Sequence, residues 1–404
     1  MNSHLRFAVT LMLIGLALTT AAAPQPQRMQ RFSSDVGFAD GFVTTDSGKH
    51  WREMNLPNSS IATFFLNPTT GWAVTMDGPM GEDLQFAIAT TRDSGQSWSM
   101  TPIKLPIDQK QTWLAGQDYL QFTDPLHGWL NLSIQSGSAF DFGILLKTVD
   151  GGKTWIRADG PGTAEEMHFI NAQDGWQLGP HRRELWVTHD GSKTWQQVSL
   201  KPPADLKPAD EATYLLPVFG DDKHGAVEAA FTGLPTASED VCHTALFVTS
   251  DGGQRWDLKA MLVKQKACGS WWLFTAAGSV LITPTVSDEK LTLKKVSLDG
   301  TSVANTTTAD LGFLSYVDGI SFSNPQQGWV SLTACCEAAC STCVLKPSPR
   351  VSCTAVANRD RPLGMQCRAL LSTDDGGKTW TDITLRQRCV QEGPTGKKTC
   401  TVEK

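Results

Sequence analysis

The sequence predicts an all-β protein, a seven-bladed β-propeller of four-stranded antiparallel blades, and two recurring phrases predict it. An eight-residue box of the form Thr-x-Asp-x-Gly-x-x-Trp occurs six times in the 404 residues, once with Ser in place of the Gly. A second phrase, in which an aromatic residue and a few turn formers lead to Gly-Trp, precedes the boxes. Repeats of this length indicate one supersecondary unit per copy, and such units bury their faces by stacking on each other.

The boxes place an Asp and a Trp at the same spacing in every copy. These residues are Asp46 and Trp51, Asp93 and Trp98, Asp150 and Trp155, Asp190 and Trp195, Asp251 and Trp256, and Asp375 and Trp380. A weak seventh box, VSLDGTS at 296–302, lacks the Trp and lies in the long gap before the last copy. The Gly-Trp phrase is complete at 65–72, 122–129, 169–176 and 322–329, and degenerate at 32–38 and 219–226. Both phrases together indicate seven units.

Each unit reads as four short strands joined by turns. The aromatic residue is expected to begin the first strand, Asn-Pro or Asp-Pro with Gly to turn the chain, and the Trp to begin the second strand. A third strand leads into the box, whose Asp and Gly make a tight turn, and the box Trp opens the fourth strand. One such blade cannot bury both of its faces, so we expect the blades to close into a ring.

The box residues have a structural and a functional interpretation. In the structural one, each Asp holds its turn by accepting backbone amide hydrogen bonds, and each Trp packs in the seam between strands. In the functional one, the Asp carboxylates are acid–base groups or calcium ligands. One Asp per blade is spread around the ring and cannot converge on one substrate, so the structural interpretation is favoured.

The box resembles the Asp-box, or bacterial neuraminidase repeat. The pairing of the Gly-Trp phrase with this box closely resembles the photosystem II assembly and stability factor family and its bacterial relatives, over about residues 31–385. The resemblance implies a propeller that assists assembly or stability of a membrane complex, and an arginine-rich surface that binds the client protein. Asp-boxes also occur in sialidases, xyloglucanases and sortilin-type receptors, so the motif predicts the fold better than the function.

Residues 1–23 read as a secretory signal peptide. Arg6 precedes an apolar run at 7–18, and small residues lead to Pro24. The run is too short to span a bilayer as a helix, and no Cys stands at the cleavage site to carry a lipid anchor. We therefore expect an exported, periplasmic or secreted bacterial protein without a transmembrane segment in its mature chain. The propeller is expected over 28–385.

Charge bears on the kind of partner. The chain has 35 Lys and Arg against 41 Asp and Glu, a net charge of −6. This balance argues against nucleic acid as a partner, because a polyanion binds basic surfaces. Residues 341–404 are the exception, with eleven basic and six acidic residues. That segment suits an acidic partner or a membrane surface, although a solvated rim is the simpler interpretation.

All ten cysteines lie after residue 240, and in an exported protein they are expected to form disulfides. They are Cys242, Cys268, Cys335, Cys336, Cys340, Cys343, Cys353, Cys367, Cys389 and Cys400. The first two flank the fifth box and could tie blade five to blade six, whereas the other eight allow on the order of a hundred pairings. A metal site in CCEAACSTC is disfavoured, because no His and no second knuckle stand nearby.

The cysteines also mark two segments outside the repeats. Residues 335–367 are expected to form a Cys-rich loop insertion in the last blade, because they are too polar for a blade strand. Residues 386–404 are expected to form a Cys-containing C-terminal tail. Disulfides would give the insertion a rigidity that its few apolar residues cannot. No metal and no cofactor are predicted.

The two kinds of turn define the two faces of the ring. In an up-and-down blade the Gly-Trp turn and the Asp-box turn lie on the same face. The connections between second and third strands lie on the other face, called the loop face here, together with the links between blades. Binding residues collect on variable loops over a rigid scaffold, so the loop face is the predicted working face. The candidates there are Arg182, Arg183, Trp113, Glu82 and Asp83.

Each candidate also has a plainer interpretation. The arginine pair suits a carboxylate or phosphate but equally a solvated hairpin tip. Trp113 is more simply packed beneath its long connection than exposed as a ligand platform. Glu82 and Asp83 are adjacent, and adjacent side chains point apart, which disfavours a catalytic couple.

The sequence favours an exported, non-enzymatic binding or assembly module that engages a protein or cell-envelope partner. The alternative is a glycoside hydrolase or lectin acting on a polysaccharide. A sialidase would need convergent arginines, an Arg-Ile-Pro phrase and a Tyr nucleophile; the phrase is absent, and the three Tyr stand in no telling context. A xyloglucanase-like enzyme would need a second propeller. A hydrolase that uses two carboxylates stays open, and no catalytic residue is predicted.

Overall fold

The computed structural model describes residues 29–39, 41–78, 84–107, 113–114, 118–135, 141–201, 211–232, 242–265, 275–287, 290–298, 303–311, 316–336, 352–358, 361–384, 386–391 and 398–403. The predicted signal peptide lies outside these residues, as do Glu82, Asp83, Cys268, Cys340 and Cys343.

Seven antiparallel sheets follow one another along the chain, which confirms the predicted seven-bladed propeller. Strands are numbered in chain order. Blade 1 contains β1 Met29–Arg31, β2 Gly37–Ala39, β3 Phe42–Thr44 and β4 Arg52–Glu53. Blade 2 contains β5 Ser60–Phe65, β6 Gly71–Asp77, β7 Gln85–Thr91 and β8 Ser99–Ile103. Blade 3 contains β9 Trp113–Leu114, β10 Tyr119–Phe122, β11 Gly128–Gln135, β12 Asp141–Thr148 and β13 Ile156–Arg157. Blade 4 contains β14 Met167–Phe169, β15 Gly175–Leu178, β16 Leu185–Thr188 and β17 Gln196–Gln197.

The second half of the chain continues the series. Blade 5 contains β18 Glu211–Tyr214, β19 Val218–Phe219, β20 Gly225–Thr232, β21 Cys242–Thr249 and β22 Asp257–Gln265. Blade 6 contains β23 Thr275–Ala277, β24 Val280–Ser287, β25 Lys290–Ser297 and β26 Val303–Asp310. Blade 7 contains β27 Tyr316–Phe322, β28 Gly328–Cys336, β29 Ser352–Asn358, β30 Arg361–Thr373 and β31 Thr381–Asp382. A separate hairpin follows, β32 Arg386–Gln391 with β33 Lys398–Glu403.

The first strands of the blades lie at the centre of the ring. Strand β5 contacts β10, β10 contacts β14, β19 contacts β23, and β23 contacts β27. Strand β27 also contacts β1, so blade 7 closes the ring against blade 1. Each blade is one continuous segment, and the ring therefore closes without a strand shared between its two ends. The helix found among the described residues is one 3-10 turn, Pro180–Arg182, and none there is long and apolar enough to cross a membrane.

The Gly-Trp turn and the Asp-box turn of a blade lie side by side, as predicted. In blade 3 the amide of Gly151 donates to the carbonyl of Leu126 at 2.9 Å. In blade 4 the amide of Gly191 donates to the carbonyl of Gln173 at the same distance. Equivalent bonds join the two turns in blades 1, 2, 5 and 7. The loop face is therefore the opposite end of every blade.

Each box Asp holds its own turn. In blade 3, Asp150 Oδ1 accepts from Thr148 Oγ1 at 2.8 Å, and the Thr154 amide and hydroxyl donate to its two oxygens at 2.9 and 2.6 Å. Gly151 and Gly152 have positive φ, 76° and 94°, which the turn requires and Gly tolerates. In blade 2, the matching bonds from Ser97 and Thr91 lower the pKa of Asp93 to about 2. Each box carboxylate therefore stabilises the turn of its own blade.

Aromatic rings join neighbouring blades. The Gly-Trp residue Trp72 of blade 2 stacks on Phe122 of blade 3 at 4.0 Å, and the box residue Trp155 meets the edge of Phe122 at 6.3 Å. The indole of Trp155 donates to the Gly152 carbonyl at 2.9 Å. The seam between blades 3 and 4 repeats this arrangement with Trp129, Phe169 and Trp195.

The Gly of the Gly-Trp phrase is needed for this packing. Phe122 ends β10 and lies directly opposite Gly128 at the start of β11. A Cβ on Gly128 would stand 2.6 Å from the Phe122 ring, so any larger residue would displace the ring. The aromatic residue therefore ends the first strand, and the expectation that it begins that strand was wrong. The strand begins earlier because the ring must fold back over the Gly across the turn.

Blade 1 departs from this pattern, because its aromatic residue, Phe32, follows the position that lies opposite the Gly by one residue. Phe65 lies opposite Gly71 in blade 2, whereas Arg31 lies opposite Gly37 in blade 1. The degenerate phrase was aligned on Phe32, but Arg31 takes the register position of the ring. Phe32 instead meets Phe38 edge-on at 5.4 Å.

Arg31 fills the seam where blade 1 meets blade 7. It is 3% exposed, and its guanidinium lies 5.9 Å from the ring centre of Trp329. Its two Nη atoms donate to the carbonyls of Gly328 and Thr373 in blade 7 and of Ser34 in blade 1. They also donate to the Ser372 hydroxyl and pair with Asp374 at 2.6 Å. Its Nε donates to a further carbonyl, that of Ser33. At the seam that closes the ring, a hydrogen-bonded Arg therefore occupies the position that Phe122 and Phe169 occupy at the seams described above.

The Cys-rich segment of blade 7 contains strands. Cys335 and Cys336 end β28, Cys353 lies in β29, and Cys367 lies in β30. The described parts of the predicted insertion, 335–336, 352–358 and 361–367, are therefore strands, and the rest of 335–367 lies outside the described residues. Strand β29 pairs with the first half of the long β30 and extends the blade past its usual end.

Candidate binding site on the loop face

The structure places two of the five predicted binding residues in one short connection. Arg182 and Arg183 lie between β15 and β16 of blade 4, on the loop face. Trp113 lies in β9, paired with Gln135, and its side chain is outside the described part of the structure, as are Glu82 and Asp83. The arginine pair is therefore the centre of the candidate site.

The connection 179–184 is a tight hairpin with two strained residues. His181 and Arg182 have φ of 55° and 59°, the left-handed region that residues with a Cβ rarely adopt. The Gly179 amide donates to the Glu184 carbonyl at 2.8 Å, and the Arg182 amide donates back to the Gly179 carbonyl at 2.9 Å. These bonds close the hairpin and over-determine its strained backbone.

Two acidic residues before the inner strand β14 anchor this hairpin. Arg182 Nη2 pairs with Glu166 Oε1 at 3.0 Å, and the His181 amide donates to Glu165 Oε1 at 3.1 Å. Burial raises the pKa of Glu166, against a smaller lowering by Arg182. The hairpin is thus fixed to the central strand of its own blade, and His181 and Arg183 stay exposed at its tip.

Tyr119 joins this group from the neighbouring blade. It begins β10, the inner strand of blade 3, on the same face. Burial raises the pKa of Tyr119 most, and the carboxyl groups of Glu166 and Glu165 raise it further. The phenol is therefore protonated at neutral pH. The fold brings Tyr119 close enough to Glu166 for their charges to interact, although the two residues are far apart in the sequence.

Asp118 lies beside Tyr119 at the start of the same inner strand. It is 6% exposed, and its Oδ1 accepts from the Ser133 amide at 2.9 Å. Its Oδ2 is buried without a hydrogen-bond partner among the described residues. Burial raises the pKa of Asp118 to about 6. The sequence signal that marks Asp118 is an acidic residue just ahead of a central strand, and this signal does not depend on a second acid nearby.

The loop face near blades 3 and 4 thus combines a fixed cation, a protonated phenol and carboxyl groups of raised pKa. Groups of these kinds can hold an anion or a polar chain by directed hydrogen bonds. No three His, Cys, Asp or Glu side chains within the described ranges are grouped so as to hold a metal ion.

Comparisons with known proteins find similarity among solved structures alone. No protein-family model matches the chain, and no curated protein is significantly similar to it. Among solved structures, YCF48 from Cyanidioschyzon merolae is 15% identical, over 85% of this chain and 93% of its own, with a TM-score of 0.44. The GH74 xyloglucanase from Xanthomonas campestris is 12% identical over 93% of this chain and 69% of its own, with a TM-score of 0.49. The GH93 alpha-L-arabinofuranosidase of Fusarium graminearum is 11% identical over 78% and 95%, with a TM-score of 0.41. Similarity at these levels concerns the propeller alone.

Proposed function

We propose that the protein is an exported, non-enzymatic binding module, and that the hairpin 179–184 contacts a protein or cell-envelope partner. The strained backbone of that hairpin carries the proposal. His181 and Arg182 both hold left-handed conformations outside the repeated box turns, and such costly conformations cluster at ligand-binding and switch regions. A solvated tip without a role would more simply carry Gly at these two positions.

Rigidity and charge support the same proposal. The contacts of Arg182 with Glu166 and of His181 with Glu165 hold the hairpin in one conformation. A preorganised loop loses little conformational freedom on binding, so more of its contact energy becomes affinity. The exposed tip carries Arg183, which suits a carboxylate or phosphate on the partner. The proposed partner surface is therefore acidic.

The test reverses the charge of one exposed arginine on each face. Arg183→Glu changes the loop face, and Arg92→Glu changes an exposed residue of the second Asp-box on the opposite face. The immobilised mature protein captures partners from the cell-envelope extract of its source. We expect capture to fall about tenfold with Arg183→Glu, the effect of about 1.4 kcal/mol, and to stay unchanged with Arg92→Glu. Equal capture by both variants would contradict the proposal.

A glycoside hydrolase is the second candidate function, and Asp118 favours it. Its carboxyl has a pKa of about 6, and a raised pKa lets a carboxyl act as a general acid. Glu166 supplies a second carboxyl on the same face. The test compares sugar release from envelope polysaccharides by the wild type, Asp118→Asn and Glu166→Gln. Release that disappears in Asp118→Asn while the variant stays folded would favour hydrolysis over the binding module.

A further inference from the structure

We propose that two disulfides staple hairpins near the end of the chain, one joining Cys353 to Cys367 and one joining Cys389 to Cys400. Strand register carries this proposal. Cys353 of β29 lies directly opposite Cys367 of β30, and Cys389 of β32 lies directly opposite Cys400 of β33. Opposite residues of an antiparallel pair have Cα atoms about 4.5–5.5 Å apart. A disulfide spans Cα distances of about 4.4–6.8 Å.

The same register excludes the neighbouring cysteines of blade 7. Cys336 pairs with Met365, two positions from Cys367. Diagonal neighbours at that offset lie about 7–8 Å apart, beyond the reach of about 7 Å that a disulfide has without backbone movement. Cys335 pairs with Gln366, so it is placed on the other face of the sheet from Cys367. The pairing of Cys353 with Cys367 is therefore selected against the two cysteines of β28.

A cross-link would stabilise the strands that carry these cysteines. β32 and β33 form a sheet of only two strands within the described residues. A two-stranded hairpin by itself is marginally stable in water. β29 likewise pairs with β30 alone among the described strands. A bond between opposite residues restricts the open hairpin and so favours the paired one.

Oxidation of each pair follows ordinary thiol chemistry. One S–S bond forms between the two Sγ atoms, and two protons and two electrons leave the thiols. A disulfide of an exchange partner accepts them and becomes a dithiol. The step suits the oxidising compartment to which export is predicted. With these bonds fixed, six cysteines remain, and they allow roughly fifteen pairings.

Trypsin separates all four cysteines, which makes the proposal directly testable. The tryptic peptides 351–359, 360–368, 389–397 and 399–404 each contain one of them. The full chain is refolded in a glutathione redox buffer, alkylated and digested without reduction. We expect 351–359 linked to 360–368 and 389–397 linked to 399–404, each pair separating on reduction. Any other partner for these peptides, or an alkylated thiol at these cysteines, would overturn the proposal.

Double variants provide matched controls. Cys389→Ser with Cys400→Ser should remove only the second linked pair, and Cys353→Ser with Cys367→Ser only the first. Cys389→Ser alone should add one titratable thiol, that of Cys400. A new linkage at Cys400 in this single variant would show that its pairing is exchangeable and would contradict the fixed staple. Mapping of the wild type remains decisive even where a variant folds poorly.

Discussion

The box tryptophans differ in burial, and this predicts different costs of removing them. Trp155 is 5% exposed, and its ring meets Phe122 while its indole is hydrogen-bonded. Trp155→Ala leaves a cavity at the seam of blades 2 and 3, so it should lose about 3–5 kcal/mol of unfolding free energy. Trp195→Ala, at a more exposed box, should lose less. Urea unfolding of both variants measures the difference, and a wild-type midpoint for Trp155→Ala would refute the packing role.

Glu228 of β20 predicts an unusual dependence of stability on pH. It is 2% exposed, its Oε1 has no hydrogen-bond partner among the described residues, and burial raises its pKa to about 8. The unfolded chain loses this proton near the ordinary value of 4.5. The folded state therefore binds more protons between these values, and its stability falls as the pH rises through them to about 8.

Glu228→Gln should remove this fall and raise the unfolding free energy by about 3 kcal/mol at pH 7. Asp118→Asn is the matched control, because the pKa of Asp118 is raised only to about 6. Its effect should be complete by that pH, whereas the effect of Glu228→Gln should keep growing up to pH 8. Urea unfolding at a series of pH values measures both. Parallel wild-type and Glu228→Gln curves would contradict a raised pKa of the buried Glu228 carboxyl.

At this scale the sequence predicts local chemistry and misses contacts made by the ring. The six Asp and Trp positions were identified because the turn that needs them lies within one box. Arg31 was missed because its neighbour Phe32 has the expected aromatic ring, and only the pairing with Gly37 shows which residue fills the seam. Tyr119 and Glu166 were missed because inner strands of different blades bring them together.

At the scale of elements, the seam between blades 7 and 1 tests what closes the ring. Arg31→Ala removes donors to several carbonyls and exposes Trp329, so it should lose about 2–3 kcal/mol of unfolding free energy, the range for bonds to a charged group. Asp374 is 61% exposed at its side chain, so Asp374→Asn should lose less than about 1 kcal/mol. Urea unfolding separates the two. Equal losses would mean that the ion pair, rather than the carbonyl bonds, holds the seam.

Strands and their order were predictable where each unit carried both phrases. Blade 6 has a weak box that lacks its Trp, yet its strands β23 to β26 form a complete four-stranded sheet. The strands around Cys353 and Cys367 were not predicted. Strand β30 pairs with both β28 and β29, an arrangement that composition does not reveal.

The first and the last described strands differ in how they contact the propeller, and this difference predicts which of them can be deleted without destabilising it. β1 pairs with β2 and contacts β27 across the closing seam, whereas no described blade strand pairs with the hairpin of β32 and β33. A closed ring has no terminal blade, so opening one seam exposes two apolar faces at once.

Deleting 386–404 should therefore change the unfolding free energy by no more than about 0.5 kcal/mol. Deleting β1 by truncation through residue 31 should lower the unfolding midpoint and separate the transitions seen by tryptophan fluorescence and far-UV circular dichroism, which coincide for a cooperative ring. A deletion of 386–404 that destabilises as much as the loss of β1 would show that the hairpin is part of the propeller.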